Sequence, residues 1–145
     1  MANEQQPSEN RPKPLPITDD LTRPFWDGAA RQQLMIQRCQ ECHYFNHPPR
    51  SLCDACQSQH LTFVPVSGYG TIYSYTVMHQ PTVAGFEKDL PYINVLAELD
   101  EQPRLFMVSF LPMSELEKIR IGARVTVHFE KVNEEITLPQ FRVGP

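Results

Sequence analysis

No stretch of about 18 apolar residues occurs anywhere in this 145-residue chain, so the sequence offers no membrane-spanning helix. The first residues are polar and lack the apolar centre of a secretory signal. Basic residues are not in excess: 13 Lys and Arg stand against 17 Asp and Glu, a net charge of −4, which removes the electrostatic footprint of a nucleic-acid binder. No serine, cysteine or carboxylate sits in a recognisable nucleophile or acid–base motif, and the five histidines (His43, His47, His60, His79 and His128) have no evident catalytic partner. Together these absences lead us to expect a cytoplasmic, non-enzymatic protein with no membrane and no nucleic-acid partner. The balance of 41% hydrophobic and 21% charged residues is that of a globular chain, long enough for one domain or two small modules.

Cysteine is scarce, and all of it is in one place. The only four cysteines form two pairs, Cys39-Gln-Glu-Cys42 and Cys53-Asp-Ala-Cys56, ten residues apart. Two C-x-x-C knuckles at this distance can close four thiolates around one zinc ion. In a reducing compartment such pairs hold metal rather than disulfides. The segment around them is too small to bury a core, so the metal takes the place of one. Four cysteine ligands leave no vacant position, which makes the Zn2+ structural. Iron fits the same ligands, with a rubredoxin-type redox role as the lesser reading.

The rest of the chain is read around this centre. Residues 1–18 contain four prolines and little that can pack, and are expected to be a disordered tail. A helical arm is predicted over 19–33, with Thr22 as cap, Pro24 in the first turn, and Phe25, Trp26, Ala29 and Ala30 as its apolar residues. Phe25 and Trp26 must cover themselves on the next module or on a partner. A zinc ribbon is predicted over 34–62. It comprises strand Leu34–Arg38, the first knuckle, a return through Phe45–Arg50, the second knuckle, and an extended connector beginning at Leu61. Residues 63–145 are rich in β-branched and aromatic residues. Strands are predicted at Thr71–Met78, Tyr92–Leu99, Arg104–Phe110, Gly122–Phe129 and Ile136–Val143, with a short helix at Ser114–Lys118 after the third. Ser114 and Glu117 have capping-box spacing in that helix. Three strands, a helix and two strands is the order of a five-stranded OB-fold barrel. The fold class is therefore mainly β, with an N-terminal helix and zinc ribbon before the barrel.

Two features bear on binding. The loop Gln80–Pro91 joins the first two barrel strands and carries Val83, Ala84 and Phe86, apolar for a loop; they either fold over the barrel mouth or meet a partner or an acyl chain. Tyr73, Tyr75 and Tyr92 could stack bases, but the acidic charge favours a role as barrel wall or partner surface.

Several motifs, taken together, resemble a known family: the OB-fold, acyl-CoA-associated proteins with an N-terminal rubredoxin-like zinc ribbon, long classed as a domain of unknown function. They are Pro24-Phe25-Trp26, Ile36 through Cys42, His47-Pro48-Pro49-Arg50, the second knuckle, Val66-Ser67-Gly68-Tyr69-Gly70-Thr71-Ile72-Tyr73-Ser74-Tyr75-Thr76-Val77, Pro91-Tyr92, Ile121-Gly122, and Leu138-Pro139-Gln140-Phe141-Arg142. The resemblance spans roughly residues 22–143. It implies an accessory subunit of an acyl-CoA-processing complex that leaves the chemistry to a partner. Members of this family associate with thiolases, steroid side-chain aldolases and hydratases, and one bridges an archaeal thiolase and hydroxymethylglutaryl-CoA synthase. The resemblance implies a thiolase-like partner whose acyl-CoA site this chain helps to order, with a coenzyme A thioester at the interface. Arg50 and Arg142, inside the shared motifs, are the candidates for the coenzyme A phosphates. A stand-alone acyl-CoA-binding module is the alternative, and an OB-fold single-strand binder a weaker one. One departure stands out: the residue after each second knuckle cysteine, often glycine, is His43 in one knuckle and Gln57 in the other.

Overall fold

The computed structural model describes residues 12–80 and 83–144. Most of the expected N-terminal tail, residues 1–11, lies outside them. A helix and two antiparallel sheets make up the fold. Helix α1 is Arg23–Ala30. The first sheet holds β1 (Met35–Cys39), β2 (Phe45–Asn46) and β3 (Leu61–Pro65), in the order β2-β1-β3. The second holds β4 (Tyr69–Met78), β5 (Tyr92–Leu99), β6 (Phe106–Pro112), β7 (Arg124–Lys131) and β8 (Thr137–Val143), in the order β6-β5-β4-β7-β8. That order, with a 3-10 helix at Met113–Lys118 between β6 and β7, is the OB arrangement. Among the described residues no helix is long and apolar enough to cross a membrane.

The strands form where apolar residues alternate. In β5, Ile93, Val95, Ala97 and Leu99 are all buried, one face of a period-two strand turned inward. Phe141 of β8 and Val125 of β7 are fully buried opposite them. The barrel does not close through a backbone ladder between β6 and β8. Side chains close it: the Ser109 hydroxyl donates to Gln140 Oε1 (2.8 Å) and accepts from Phe141 N–H (2.8 Å), and Phe110 N–H also donates to Gln140 Oε1 (3.1 Å).

The helix is shorter than the 19–33 expected. Thr22 does not cap it with its side chain. Instead the Asp19 carboxylate accepts from Thr22 N–H (2.8 Å) and hydroxyl (2.9 Å), tying a separate turn in front of Pro24. At the other end Gln32 is left-handed (φ 58°) and Gln33 N–H returns to the Gly28 carbonyl (2.9 Å), a helix stop. Gly28 lets α1 approach closely, since a Cβ there would collide with the Met35 side chain. The expected connector after Leu61 is strand β3, in register with β1 from Met35↔Pro65 to Cys39↔Leu61, and the expected boundary at 62/63 falls inside it. Ser114 lies within its helix rather than at the cap, which is Pro112. β6 starts at Phe106, two residues later than expected, because left-handed Arg104 (φ 64°) still belongs to the turn.

One cluster of buried apolar side chains unites these parts. Phe25 of α1 and Leu34 and Ile36 of the ribbon pack with Ile72, Val125 and Phe141 of the barrel. Phe25 and Trp26 thus find cover within their own chain, their rings edge to face at 4.9 Å.

Candidate metal centre and adjacent groove

The two knuckles fold alike. Cys39 N–H bonds to the Tyr44 carbonyl (2.9 Å) and His43 N–H to the Cys39 carbonyl (3.0 Å). Cys53 N–H bonds to the Ser58 carbonyl (2.9 Å) and Gln57 N–H to the Cys53 carbonyl (2.9 Å). His43 (φ 67°) and Gln57 (φ 63°) are both left-handed. That explains the usual glycine here, and shows that the turn forms without it.

The four sulfur atoms lie within 4.8 Å of one another, with Cys39 Sγ 3.6 Å from Cys56 Sγ and Cys42 Sγ 3.6 Å from Cys53 Sγ. Zn–S bonds of about 2.3 Å at tetrahedral angles place sulfurs about 3.8 Å apart, so the four thiols fit zinc. Cys39 and Cys53 are buried, Cys42 and Cys56 exposed. Their acidities diverge. The Cys42 and Glu41 backbone amides draw Cys39 down against its burial. Burial pushes Cys53 up, but the Cys56 and Ala55 amides and the Asn46 side chain outweigh it and hold the thiol at about 6. The Ser58 amide acts to lower Cys56, yet Cys42, burial and Cys39 push it to about 12. Cys42 is likewise raised: burial and the Cys53 and Cys39 thiols outweigh the Tyr44 amide. Four convergent thiols cannot all ionise unaided, and a divalent cation makes every one a thiolate. His43 is not in the cluster.

Beside the ribbon, α1, the β2 return and the β6–β8 seam enclose a groove of about 490 Å3, lined chiefly by Phe25, Trp26, His47, Pro48, Met107 and Leu138. Burial holds the His47 ring neutral, with its pKa lowered to about 4. Its Nδ1 has no partner among the described residues, and its ring lies 5.4 Å from Phe25. Beyond its place in the His47-Pro48-Pro49-Arg50 motif, nothing in the sequence marks His47 as a groove residue, because apolar packing of a histidine leaves no local signal.

Arg50 and Arg142 are not joined by any hydrogen bond or ion pair among the described residues. Arg50 follows the β2 return, its backbone clasped by the Gln37 side-chain amide (2.8 Å to both N and O), and its guanidinium reaches Asp54 at 3.6 Å. Arg142 is exposed on β8, opposite Thr126. In the 80–91 loop, Phe86 folds back near Tyr92 (5.9 Å) and Phe110 (6.1 Å), with Lys13 Nζ 5.2 Å from its ring, whereas Val83 is exposed; Pro81 and Thr82 lie outside the described residues. Tyr92 is buried, while Tyr73 and Tyr75 are exposed, the Tyr73 ring tilted against Phe106 at 4.7 Å.

Comparison with known proteins agrees with this layout. Residues 26–62 match the family described as the ChsH2 rubredoxin-like zinc ribbon domain, and residues 63–130 the ChsH2 C-terminal OB-fold domain. The chain is 39% identical over 142 residues to a probable enoyl-CoA hydratase alpha subunit of Thermomonospora curvata, covering 96% of this chain but 42% of that protein. The chain therefore spans only about two fifths of that relative. It is 31% identical over 123 residues to a DUF35 domain-containing scaffold protein of Methanocaldococcus jannaschii, covering 82% of this chain and 84% of the other. The solved Ltp2-ChsH2(DUF35) aldolase superposes with a TM-score of 0.76 at 34% identity, over 89% of this chain and 98% of that one.

Proposed function

This chain belongs to the DUF35 family of ChsH2-type zinc-ribbon and OB-fold proteins, and from that membership we propose that it is an accessory subunit of an acyl-CoA-processing enzyme complex. The observation that carries the reading is the likeness, over 82% of this chain and 84% of the other, to a protein named as a scaffold. The site's chemistry supports it, because a cage of four cysteines has no open position for substrate and serves to hold structure. In this reading a partner enzyme, thiolase-like or of hydratase or aldolase type, does the chemistry. The ribbon fixes α1 against the barrel, and the barrel orders the partner's acyl-CoA site. Arg50 and Arg142 would meet the coenzyme A phosphates once the partner brings the ligand between them. Gentle purification from the native source, followed by mass spectrometry, tests the proposal. An acyl-CoA enzyme in fixed ratio supports it; the chain arriving alone defeats it.

The 490 Å3 apolar groove favours a second reading, a stand-alone acyl-CoA-binding module. Calorimetry of the isolated chain with coenzyme A thioesters separates the two. Binding without a partner, weakened by Arg50→Ala or Arg142→Ala, supports the module.

A further inference from the structure

Strand β4 is paired unequally along its length. Its first part runs between β5 and β7, with Gly70 and Thr71 in register on both sides, and Ile72 bonds by N–H to Ala123 (2.9 Å) and by its carbonyl to Gly122 (2.8 Å). At Tyr73 the register with β5 slips, Ile72 facing Ala97 and Ser74 facing Leu96, which marks Tyr73 as the extra residue of a bulge. Beyond the bulge Ser74–Met78 pair with β5 alone. No hydrogen bond reaches them from the other side among the described residues. In an antiparallel strand alternate residues turn N–H and C=O to each flank, so this stretch presents an unused row of backbone donors and acceptors.

Native proteins blunt such edges with lysine, proline or a covering element. The segment Tyr73-Ser-Tyr-Thr-Val-Met78 has no charge and no proline, its residues favour strands, and residues 73–76 are exposed. On the sheet face over β4, β5 and β6, across β4 from the open edge, lies a concavity of about 180 Å3, lined by Ser74, Tyr75, Thr76, Asn94, Leu96 and Val108, with Val108 itself 67% exposed. Strand addition requires a free edge for main-chain bonds and a pocket for a side chain, and here a side chain from the edge would reach the pocket by passing over the short Ser74 and Thr76.

We propose that the Ser74–Met78 edge of β4 is a strand-addition site that takes an extended, uncharged segment of the partner enzyme, one apolar side chain of which passes over Ser74 and Thr76 into the concavity on that face. The occupant rests on the accessory-subunit reading above. A self-paired edge of five residues falls far short of the roughly 20–30 residues a side that a stable interface uses, so it belongs within a larger contact that a different subunit supplies.

Deuterium exchange, comparing the free chain with its complex purified from source, tests this. The amides of Tyr73–Met78 that face away from β5 are expected to exchange on the order of tenfold more slowly in the complex. Thr76→Lys, at an exposed position, is expected to leave the melting temperature of the free chain unchanged and to weaken recovery of the enzyme on the order of tenfold. A complex in which this segment exchanges as in the free chain overturns the proposal while leaving the accessory reading intact. Protection that rises with concentration in the chain alone assigns the edge to a second copy and also overturns it. Failure to recover any enzyme is a separate result, which defeats both.

Discussion

At single residues the structure departs from what the amino acids prefer. His43 and Gln57 hold left-handed backbone that costs a side-chain-bearing residue about 1–2 kcal/mol and costs glycine nothing. His43→Gly and Gln57→Gly are each expected to stabilise the metal-loaded chain by about 1 kcal/mol, raising its melting temperature by roughly 4 °C in calorimetry. An unchanged temperature would mean that the side chains repay the strain. His47 carries a pH dependence. Its folded pKa, about 4, lies below the unfolded value near 6.5, so protonation favours the unfolded chain. Its neutral ring costs nothing above about pH 6.5; stability then falls between pH 6.5 and 4, by about 3 kcal/mol in all, and the loss levels off below. Denaturant titrations of the wild type and of His47→Gln should separate in that window, the variant losing less as pH falls. Parallel curves would show that His47 does not titrate on unfolding. The cysteine spacing was legible in the sequence because the motif and the metal geometry coincide. His47 was not, because nothing near it in the chain announces the burial that Phe25 and the proline pair impose.

At the scale of elements, side-chain amides stand in for backbone. Gln102, in the turn between β5 and β6, accepts from Phe45 N–H (2.9 Å) and donates to the Phe45 carbonyl (3.0 Å), pairing with β2 as a strand residue would. Gln37 does the same for Arg50, and Gln140 bridges β6 and β8. These contacts span 57, 13 and 30 residues of chain, which is why periodicity does not reveal them. Gln102→Ala leaves both polar groups of Phe45 unpaired in a partly buried place, at an expected cost of about 1–3 kcal/mol. Faster exchange at the Phe45 amide should accompany it, since the ribbon's short β2 loses its outer partner. Stability matching the wild type would mean water replaces the amide. The five barrel strands were readable because burial imposes period two on β5 and β6. The β3 pairing and the Tyr73 bulge were not, since both depend on which neighbour a strand meets.

Across the whole molecule, the metal centre and the barrel share one core rather than sitting as separate modules. Phe25, Leu34 and Ile36 are placed by α1 and the ribbon, yet they pack against Ile72, Val125 and Phe141. The ribbon's own sheet has only three strands, one of them two residues long, too little to hold those side chains in position. The thiolate cage must therefore fix the face that covers the barrel, and its loss should be felt well beyond residues 39–56. With metal bound, calorimetry is expected to show one unfolding transition with calorimetric and van't Hoff enthalpies in agreement. Cys39→Ser, or chelation, should lower the temperature of that single transition and broaden it, as the exposed core faces of Ile72 and Phe141 lose their cover. A metal-free chain that keeps a sharp barrel transition at the original temperature, with only the ribbon melted, would show two independent units and remove the coupling. If the coupling holds, the proposed accessory role makes a further outcome follow: the barrel offered to a partner enzyme depends on the metal for its shape, and stripping the metal should release that enzyme from the purified complex.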